Sequence, residues 1–591
     1  MTTAALAAFS LVFLLLGYFL YGRFIERRVV QPDDSRPVPA VAQRDGVDYE
    51  PAHPAMLFGH HFSTIAGAGP IIGPILGLAW FGWGPVVLWI LIGSVFLGGV
   101  HDYLSLMMSA RNRGLSAAEI TRDVVSPRAA TVFGIFLWAA LVLVICVFGV
   151  TAAKALMPLT EAQRAAGGFD IGPRIVFPTF MVMVIAMGLG VAHYKLKAPL
   201  WAATLMAIVL LLASIYVGYR FLPVSLASIV SAPQAQLRLW FVILMGYCLV
   251  ASVLPVWLLL QPRDYLSMFV LFACLVVGVA SLFLGNQPIE ADFFRGFTSP
   301  AGAPLWPMLF VVVACGAISG FHSVAATGTS VKQLPRETLG KPIGYGAMLV
   351  EALLAVVAAC AVGAGLSWHD TSNLAMHAPT ILANKSGGGP LVAFAKGYGN
   401  LVTQSFPFIS TALASLVGLT MLKTFVLTTL DSSTRLARFI VSETIGQSWP
   451  ILSNRAVATV VTIVPAFALG WSGAWQKIWP VFGAANQLVA ALALLTVTCW
   501  LLGTRKPSWV SLGPGIFMLV TTIAALGWQA YGFLTHHNEA GAWAPNWVLG
   551  GAAAVLVVVA LEVAVEAALR ARSIIESAGE AEMVEAPTAE E

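Results

Sequence analysis

Eight ionisable residues of this chain stand among apolar neighbours: His60, His61, His101, Asp102, His322, Glu351, Lys423 and Asp431. A charge in hydrocarbon is costly, so groups of this kind face a partner or a polar cavity and mark ion or proton paths. Histidine changes charge at an ordinary pKa of about 6.5, which suits a coupling proton. His322 lies deepest, beside a glycine cluster, and is the first candidate, with His61, Asp102, Glu351 or Asp431 as its partner. Lys423 stands about two turns from the end of its apolar stretch, where its stem snorkels or its charge meets Asp102, Glu351, Asp431 or a substrate carboxylate. Asp431 opens Asp431-Ser432-Ser433-Thr434-Arg435 and follows Thr428 and Thr429. These hydroxyls and the carboxylate suit a cation or a proton relay; the plainer reading pairs Asp431 with Arg435 or Arg438. His60 and His61 fall near the start of their stretch, where a solvated interface is the alternative. Neighbouring histidines on a helix point about 100° apart and chelate poorly, so no metal is expected.

The elements that must position these residues are two interrupted apolar stretches. One reads Gly59-His60-His61-Phe62-Ser63-Thr64-Ile65-Ala66-Gly67-Ala68-Gly69-Pro70, the other Gly316-Ala317-Ile318-Ser319-Gly320-Phe321-His322-Ser323. Glycine and proline loosen a helix, and a loosened backbone survives at membrane depth only when buried in protein or lining a polar cavity. The two segments lie an odd number of spans apart, so they cross in opposite senses, as inverted repeats require. Aligned on the breaks, Gly67 to Pro70 match Gly316 to Gly320; aligned on histidine, Gly59, His61 and Gly67 match Gly320, His322 and Gly328. Half-helix ends near the midplane would turn N–H groups toward an anion and carbonyls toward a cation. Candidate substrate contacts are Gly67, Ala68, Gly69, Pro70, Gly316, Ser319, Gly320, His322 and Asn486. Candidate proton or ion-coupling residues are His61, Asp102, His322, Glu351, Lys423, Thr428, Thr429 and Asp431. The opposing view is that these glycines only let helices pack closely and that Asn486-Gln487 bonds across helices.

Composition fits that frame. The chain of 591 residues is 58% hydrophobic and 10% charged, where a soluble domain carries about 25% charge. The expected fold is all-α, a polytopic membrane protein of about 15 transmembrane helices with an inverted repeat, two discontinuous helices and extra helices; the family resemblance given below implies that this repeat is LeuT-like. The expected organisation is a first helix and cytoplasmic loop (1–58), a first repeat (59–218), an inserted helix pair (238–285), a second repeat (305–502), extra helices (512–570) and an acidic cytoplasmic tail (573–591). The first helix reads as an uncleaved anchor. With the N-terminus outside, about 22 of the 32 Lys and Arg fall in inner loops against about nine outside, which also places the C-terminus in the cytoplasm. The loop 25–58 and the tail have no hydrophobic period of their own. Ser116-Ala117-Ala118-Glu119 has capping-box spacing and predicts a short inner helix. The outer loop 367–404 reads as a connector or a short lid. Glu562 and Glu566 read as interfacial, and all six cysteines as small buried apolar side chains. Basic residues scattered beside spans argue against nucleic acid, and no nucleophile-base spacing or phosphate loop argues for an enzyme.

Longer motifs then carry a resemblance. They are Phe58-Gly59-His60-His61-Phe62-Ser63, Ala66-Gly67-Ala68-Gly69-Pro70-Ile71-Ile72-Gly73-Pro74 and Gly99-Val100-His101-Asp102-Tyr103. Further on stand Ala251-Ser252-Val253-Leu254-Pro255, Pro262-Arg263-Asp264-Tyr265-Leu266, the second break, Thr428-Thr429-Leu430-Asp431, and Trp479-Pro480-Val481-Phe482-Gly483-Ala484-Ala485-Asn486-Gln487-Leu488. Across most of residues 1–505 the chain resembles the carbon starvation protein A (CstA) family. The resemblance implies an inner-membrane uptake carrier for peptides or pyruvate and a distant kinship with the amino acid, polyamine and organocation superfamily, whose core is a five-plus-five inverted repeat. The expected function is alternating-access symport of a short peptide or pyruvate-like carboxylate with a proton, without a cofactor. Sodium coupling through Thr428, Thr429 and broken-helix carbonyls is the rival within transport, and a membrane nutrient sensor the rival outside it.

Overall fold

A computed structural model describes residues 1–158, 172–383, 389–446, 449–473, 475–536, 543 and 545–585, and their side chains except those of 422–425, 445, 475–480 and 578–585. Among the described residues the chain is all-α, with three isolated β-bridges and no strand. Its helices are α1 (Thr3–Val30), α2 (Pro54–Ile65), α3 (Gly69–Phe81), α4 (Trp83–Arg111), α5 (Ala117–Val124), α6 (Pro127–Leu156), α7 (Gly172–Lys195), α8 (Leu200–Arg220), α9 (Pro233–Val253) and α10 (Leu260–Gly285). They continue as α11 (Leu305–Val312), α12 (Gly320–Ala325), α13 (Glu337–Gly365), α14 (Ala378–Ala383), α15 (Gly389–Ser405), α16 (Thr411–Thr444), α17 (Arg455–Trp471), α18 (Val481–Gly503), α19 (Trp509–Leu534) and α20 (Trp547–Ser577). Twelve of these are long and apolar enough to cross a bilayer alone, and the bent pair α2–α3 makes a thirteenth span. That is fewer than the fifteen expected, because the α11–α12 stretch is cut by its break and α17 has only 17 residues.

Both expected breaks are present. Ala66–Ala68 leave the helix between α2 and α3, which meet at 41°. Pro70 sits in the first turn of α3, where its missing N–H costs no hydrogen bond. The second break runs from Val313 (φ −94°, ψ 46°) to Ser319, whose backbone is extended (φ −134°, ψ 132°) before α12 begins at Gly320. These positions follow the break-based alignment, since His61 precedes its break and His322 follows its own. The two breaks also touch: a Cβ on Gly73 would stand 2.5 Å from the carbonyl oxygen of Val312, and one on Gly69 would run into the Cys315 side chain.

Burial separates core from rim. The α18 span is 94% buried and α13 89%, whereas α8 is 22% buried and α20 28%, which leaves the latter pair facing lipid. Helices α6 and α16 pack along each other, α10 packs on α2, and α12 packs on α18. The expected inner helix is α5, capped by Ser116, whose Oγ accepts from the Glu119 N–H. In place of a plain outer connector, α15 lies on α13 and α16; residues 384–388 of that loop are outside the described residues. The tail expected at 573–591 continues α20 as helix to Glu585, and 586–591 are outside the described residues. Glu562 pairs with Arg128 at 2.6 Å.

The loop after α1, which has no hydrophobic period of its own, is docked on neighbouring segments. Val38, Ala40 and Ala52 of this loop are buried, and its backbone pairs with the chain after α12 through Glu50 N–H to Lys332 O (3.1 Å) and Ala52 N–H to Gln333 O (3.0 Å). Asp48 fastens it, accepting from Arg435 at 2.8 Å and Arg438 at 2.9 Å, with Arg455 at 3.5 Å. Burial pushes the Asp48 carboxyl up, but Arg435 and Arg438, with Lys332 and Arg455, outweigh it and hold the group below its ordinary value. A carboxyl lowered on docking contributes stability above the ordinary pKa of about 4 and loses it as pH falls through the lowered value. Protease cleavage within 31–53 should therefore stay slow from neutral pH to about pH 4 and rise below it. Asp48→Asn should expose the loop at neutral pH, because breaking a buried ion pair from one side costs about 3–5 kcal/mol. Unchanged cleavage of that variant would remove Asp48 as the fastening.

Candidate functional site

A cavity of about 570 Å³ opens where the two breaks meet. Gly67 and Gly69 line it from the first break, Cys315, Ser319 and Phe321 from the second, with Thr429 of α16 and Asn486 of α18. Phe148 of α6 and Phe482 close its sides, and Trp528 and His536, from α19 and just beyond it, reach it from the far end. Of the expected substrate contacts, Gly67, Gly69, Ser319 and Asn486 thus share one wall system. Ala68, Pro70, Gly316, Gly320 and His322 do not line it: a Cβ on Gly316 would meet Ala355, and Gly320 is packed against the backbone of Asn486 and Ala490.

Side chains from the neighbouring helices take up the backbone groups the breaks release. Thr428 donates to the Ser63 carbonyl at 3.1 Å and Thr429 to the Thr64 carbonyl at 3.4 Å, at the end of α2. Asn486 Oδ1 accepts the Phe321 N–H at 2.9 Å in the first turn of α12, and its Nδ2 donates to Ser319 Oγ at 3.0 Å. Gln487 donates to the Phe310 carbonyl at 3.0 Å and Trp89 to the Val313 carbonyl at 3.2 Å. Asn486 therefore bonds across helices and faces the cavity, which joins the two readings its sequence left open.

One residue past cavity-lining Phe321, His322 is wholly buried between two carboxylates. Its Nδ1 donates to Asp102 Oδ2 at 2.9 Å, and its Nε2 lies 3.2 Å from Glu351 Oε2, close enough for an ion pair but without hydrogen-bond alignment. His101 Nδ1 donates to the other Asp102 oxygen at 2.7 Å. Two carboxylates flank one imidazole here, so even an imidazolium at His322 leaves a negative charge unless a second proton sits on a carboxyl or on His101. Buried charge that is not balanced is expensive, so the number of protons on this cluster bears directly on its stability.

The remaining candidates go elsewhere. His61 shares a hydrogen bond with Ser330 Oγ at 2.8 Å, within the electrostatic reach of Asp102, His322 and His60, and His60 points to Asp264 at 2.7 Å, so neither histidine hydrogen-bonds to the His322 cluster. Asp431 pairs with neither Arg435 nor Arg438, which Asp48 engages, but with Arg263 and the Tyr247 hydroxyl. Lys423 falls within α16, and its side chain is outside the described residues; Asp102, Glu351 and Asp431 have the partners just given. Arg263 and Asp264 were not singled out for chemistry, because Pro262-Arg263-Asp264 reads as the end of a loop until α10 is seen to begin at Leu260 and carry both inward.

Residues 2–386 and 369–525 match the family described as carbon starvation protein CstA. The chain belongs to that family. It is 31% identical to the peptide transporter CstA of Bacillus subtilis (strain 168) across 93% of this chain and 94% of the relative, and 30% identical to that of Campylobacter jejuni across 86% and 78%. The pyruvate/proton symporter BtsT of Escherichia coli (strain K12) is 29% identical across 88% and 80%. Among solved structures, a manganese transporter of Eremococcus coleocola aligns with 90% of this chain and 99% of its own at 12% identity and a TM-score of 0.47. As a CstA-family protein with twelve or more spans, the chain is a multi-pass membrane protein of a transporter family.

Cys315 is the one part-exposed cysteine of the six; the others are buried. A small thiol reagent such as methyl methanethiosulfonate should therefore block transport by modifying Cys315, transported substrate should slow the labelling, and Cys315→Ser should resist it. Full sensitivity in Cys315→Ser would move the pathway away from this cavity.

Proposed function

We propose that the protein is a secondary active transporter that takes up a short peptide, or a pyruvate-like carboxylate, together with a proton by alternating access. The observation that carries this reading is His322 between Asp102 and Glu351, a buried protonatable cluster one residue from the cavity wall. Proton and substrate sites this close share helix α12, so occupancy of one can be felt by the other. At the cavity, the first turn of α3 directs partial positive charge toward Gly69, which suits a substrate carboxylate. A volume of about 570 Å³ with largely apolar walls is much larger than a three-carbon acid needs, which favours a short peptide.

Sodium coupling is less well supported. The Thr428 and Thr429 hydroxyls keep lone pairs while they donate to the Ser63 and Thr64 carbonyls, but no carboxylate among the described residues lines the cavity beside Thr429 to balance a bound cation. For the repeats, packing supports α7–α8 as the inserted pair, in place of 238–285. α8 faces lipid, while α10 packs on α2 and α9 on α17. Each half then has five spans: α2–α3, α4, α6, α9 and α10 against α11–α12, α13, α16, α17 and α18. We assign the face that carries the loop 31–53 to the cytoplasm, where the excess of Lys and Arg belongs.

In proteoliposomes, counterflow against dialanine, trialanine and pyruvate should identify the substrate. Its accumulation should follow an imposed pH gradient and ignore a sodium gradient. His322→Asn keeps the Nδ1-like donor to Asp102 but not the second nitrogen; it should lower proton-driven accumulation about tenfold at one pH unit, the worth of one proton, while counterflow persists. Accumulation driven by sodium alone would refute the proton reading.

A further inference from the structure

A second buried titratable network lies between α2, α9, α10 and α16, and shares no residue with the His322 cluster. His60 Nδ1 donates to Asp264 Oδ2 at 2.7 Å, and Arg263 Nε donates to Asp264 Oδ1 at 3.0 Å. The same guanidinium contacts Asp431, whose oxygen also accepts from the Tyr247 hydroxyl. His60, Asp264, Asp431 and Arg263 are all at most 2% exposed.

Two places in this network are unfilled. With its Nδ1 proton given to Asp264, a neutral His60 leaves a bare lone pair on Nε2, and that atom has no hydrogen-bond partner among the described residues. The same is true of Asp431 Oδ1. A buried acceptor left unpaired costs about 1–3 kcal/mol, so both atoms gain from a proton. In direct contact, two carboxylates face one guanidinium, so the network is one positive charge short. Other groups nearby do not supply it: the Tyr247 phenol and Cys248 thiol of α9 are neutral, and His61 turns to Ser330. Arg435, one turn along α16, also faces Asp431, but its N–H groups donate to Asp48 and the carbonyls of Ala251 and Leu254.

We propose that His60 and Asp264, backed by Arg263 and Asp431, form a second proton-binding site that takes up and releases one proton in each transport cycle. The proton adds to His60 Nε2, no covalent bond breaks, and the Nδ1 hydrogen bond to Asp264 becomes an ion pair. His60 rides on α2, which is held to α10 and α16 by this contact, by Ser63 Oγ donating to the Asp264 carbonyl at 3.0 Å, and by Thr428 and Thr429. Protonation tightens α2 against those helices, and release frees it to move. Where His322 reports on the second broken helix, His60 reports on the first.

This inference rests on the proton-coupled reading above, and one experiment separates the two. With full-length protein in proteoliposomes at zero voltage, the limiting accumulation of dialanine or pyruvate, whichever gives counterflow, is measured against imposed pH gradients. At one pH unit, two protons per substrate concentrate it up to about 100-fold and one proton about 10-fold. Wild type should show the two-proton slope; His60→Asn, which keeps a donor for Asp264 but cannot gain a charge, should show the one-proton slope, as should His322→Asn. A one-proton slope in wild type, or an unchanged slope in His60→Asn, overturns the second site alone, whereas a sodium-driven carrier overturns the proton reading and this inference with it. Should His60→Asn fail to assemble, proton uptake on adding substrate to weakly buffered wild-type protein decides: about two protons per bound substrate sustains the site, and one overturns it.

Discussion

Everything in this fold turns on the rule that a backbone polar group buried in hydrocarbon must find a partner. Two spans are broken, and each break strips several N–H and carbonyl groups of their helical bonds. The chain answers with side chains placed at those depths: Thr428 and Thr429 for the carbonyls that end α2, Asn486 for the first turn of α12, and Gln487 and Trp89 for the carbonyls around the end of α11. Because α16 and α18 hold the breaks open, a cavity lies between the two breaks, and two of the residues that bond the released backbone groups, Thr429 and Asn486, also line it.

The buried charges obey a parallel constraint. Taking an ion out of water costs several kcal/mol unless its partners return it, and three groups of buried charge show how the chain meets that cost. Asp48 with Arg435 and Arg438 is arranged as a lock, with more cation than anion and part of its surround open to water. His322 with Asp102 and Glu351, and His60 with Asp264, Arg263 and Asp431, are short of positive charge and each contains an imidazole. An imidazole is the side chain that can supply that missing charge near neutral pH and withdraw it again. The lock lies on the face that carries the loop 31–53, and the two imidazole clusters lie on the two broken helices, so charge type follows mechanical role.

Much of this was legible in the sequence because the breaks are made of residues that membranes otherwise tolerate poorly in such clusters. Gly67-Ala68-Gly69-Pro70 and Gly316 to Gly320 located both interruptions to within a few residues, and His322, Asp102 and Glu351 were each conspicuous as ionisable groups among apolar neighbours. What one-dimensional reading lacked was pairing. It could not tell that Asp431 faces across to Arg263 rather than along its own helix to Arg435, since spacing alone favours the i,i+4 neighbour. The docked loop 31–53 was missed because its apolar residues, Val38, Ala40 and Ala52, are few and aperiodic; they pack against other segments instead of forming a core of their own. Helix α15 falls where the sequence reads as a connector or a short lid, because glycine and lysine interrupt its apolar face.

The arrangement also indicates how substrate and proton could inform each other without touching. Asn486 faces the cavity with the same amide that accepts the Phe321 N–H, and His322 is the next residue along α12. A substrate group that competes for that amide loosens the start of α12 and changes how far His322 stands from Glu351, where the present 3.2 Å lacks hydrogen-bond alignment. By reciprocity, a proton that pulls His322 onto Glu351 must alter the affinity of the cavity by the same factor. A shift of a few tenths of an ångström suffices, because a charge-assisted hydrogen bond depends steeply on distance and angle. The break between α11 and α12 is what permits such a shift. In an unbroken helix the Phe321 N–H would be held by a carbonyl one turn back, and the cavity and the carboxylates would have no movable part in common.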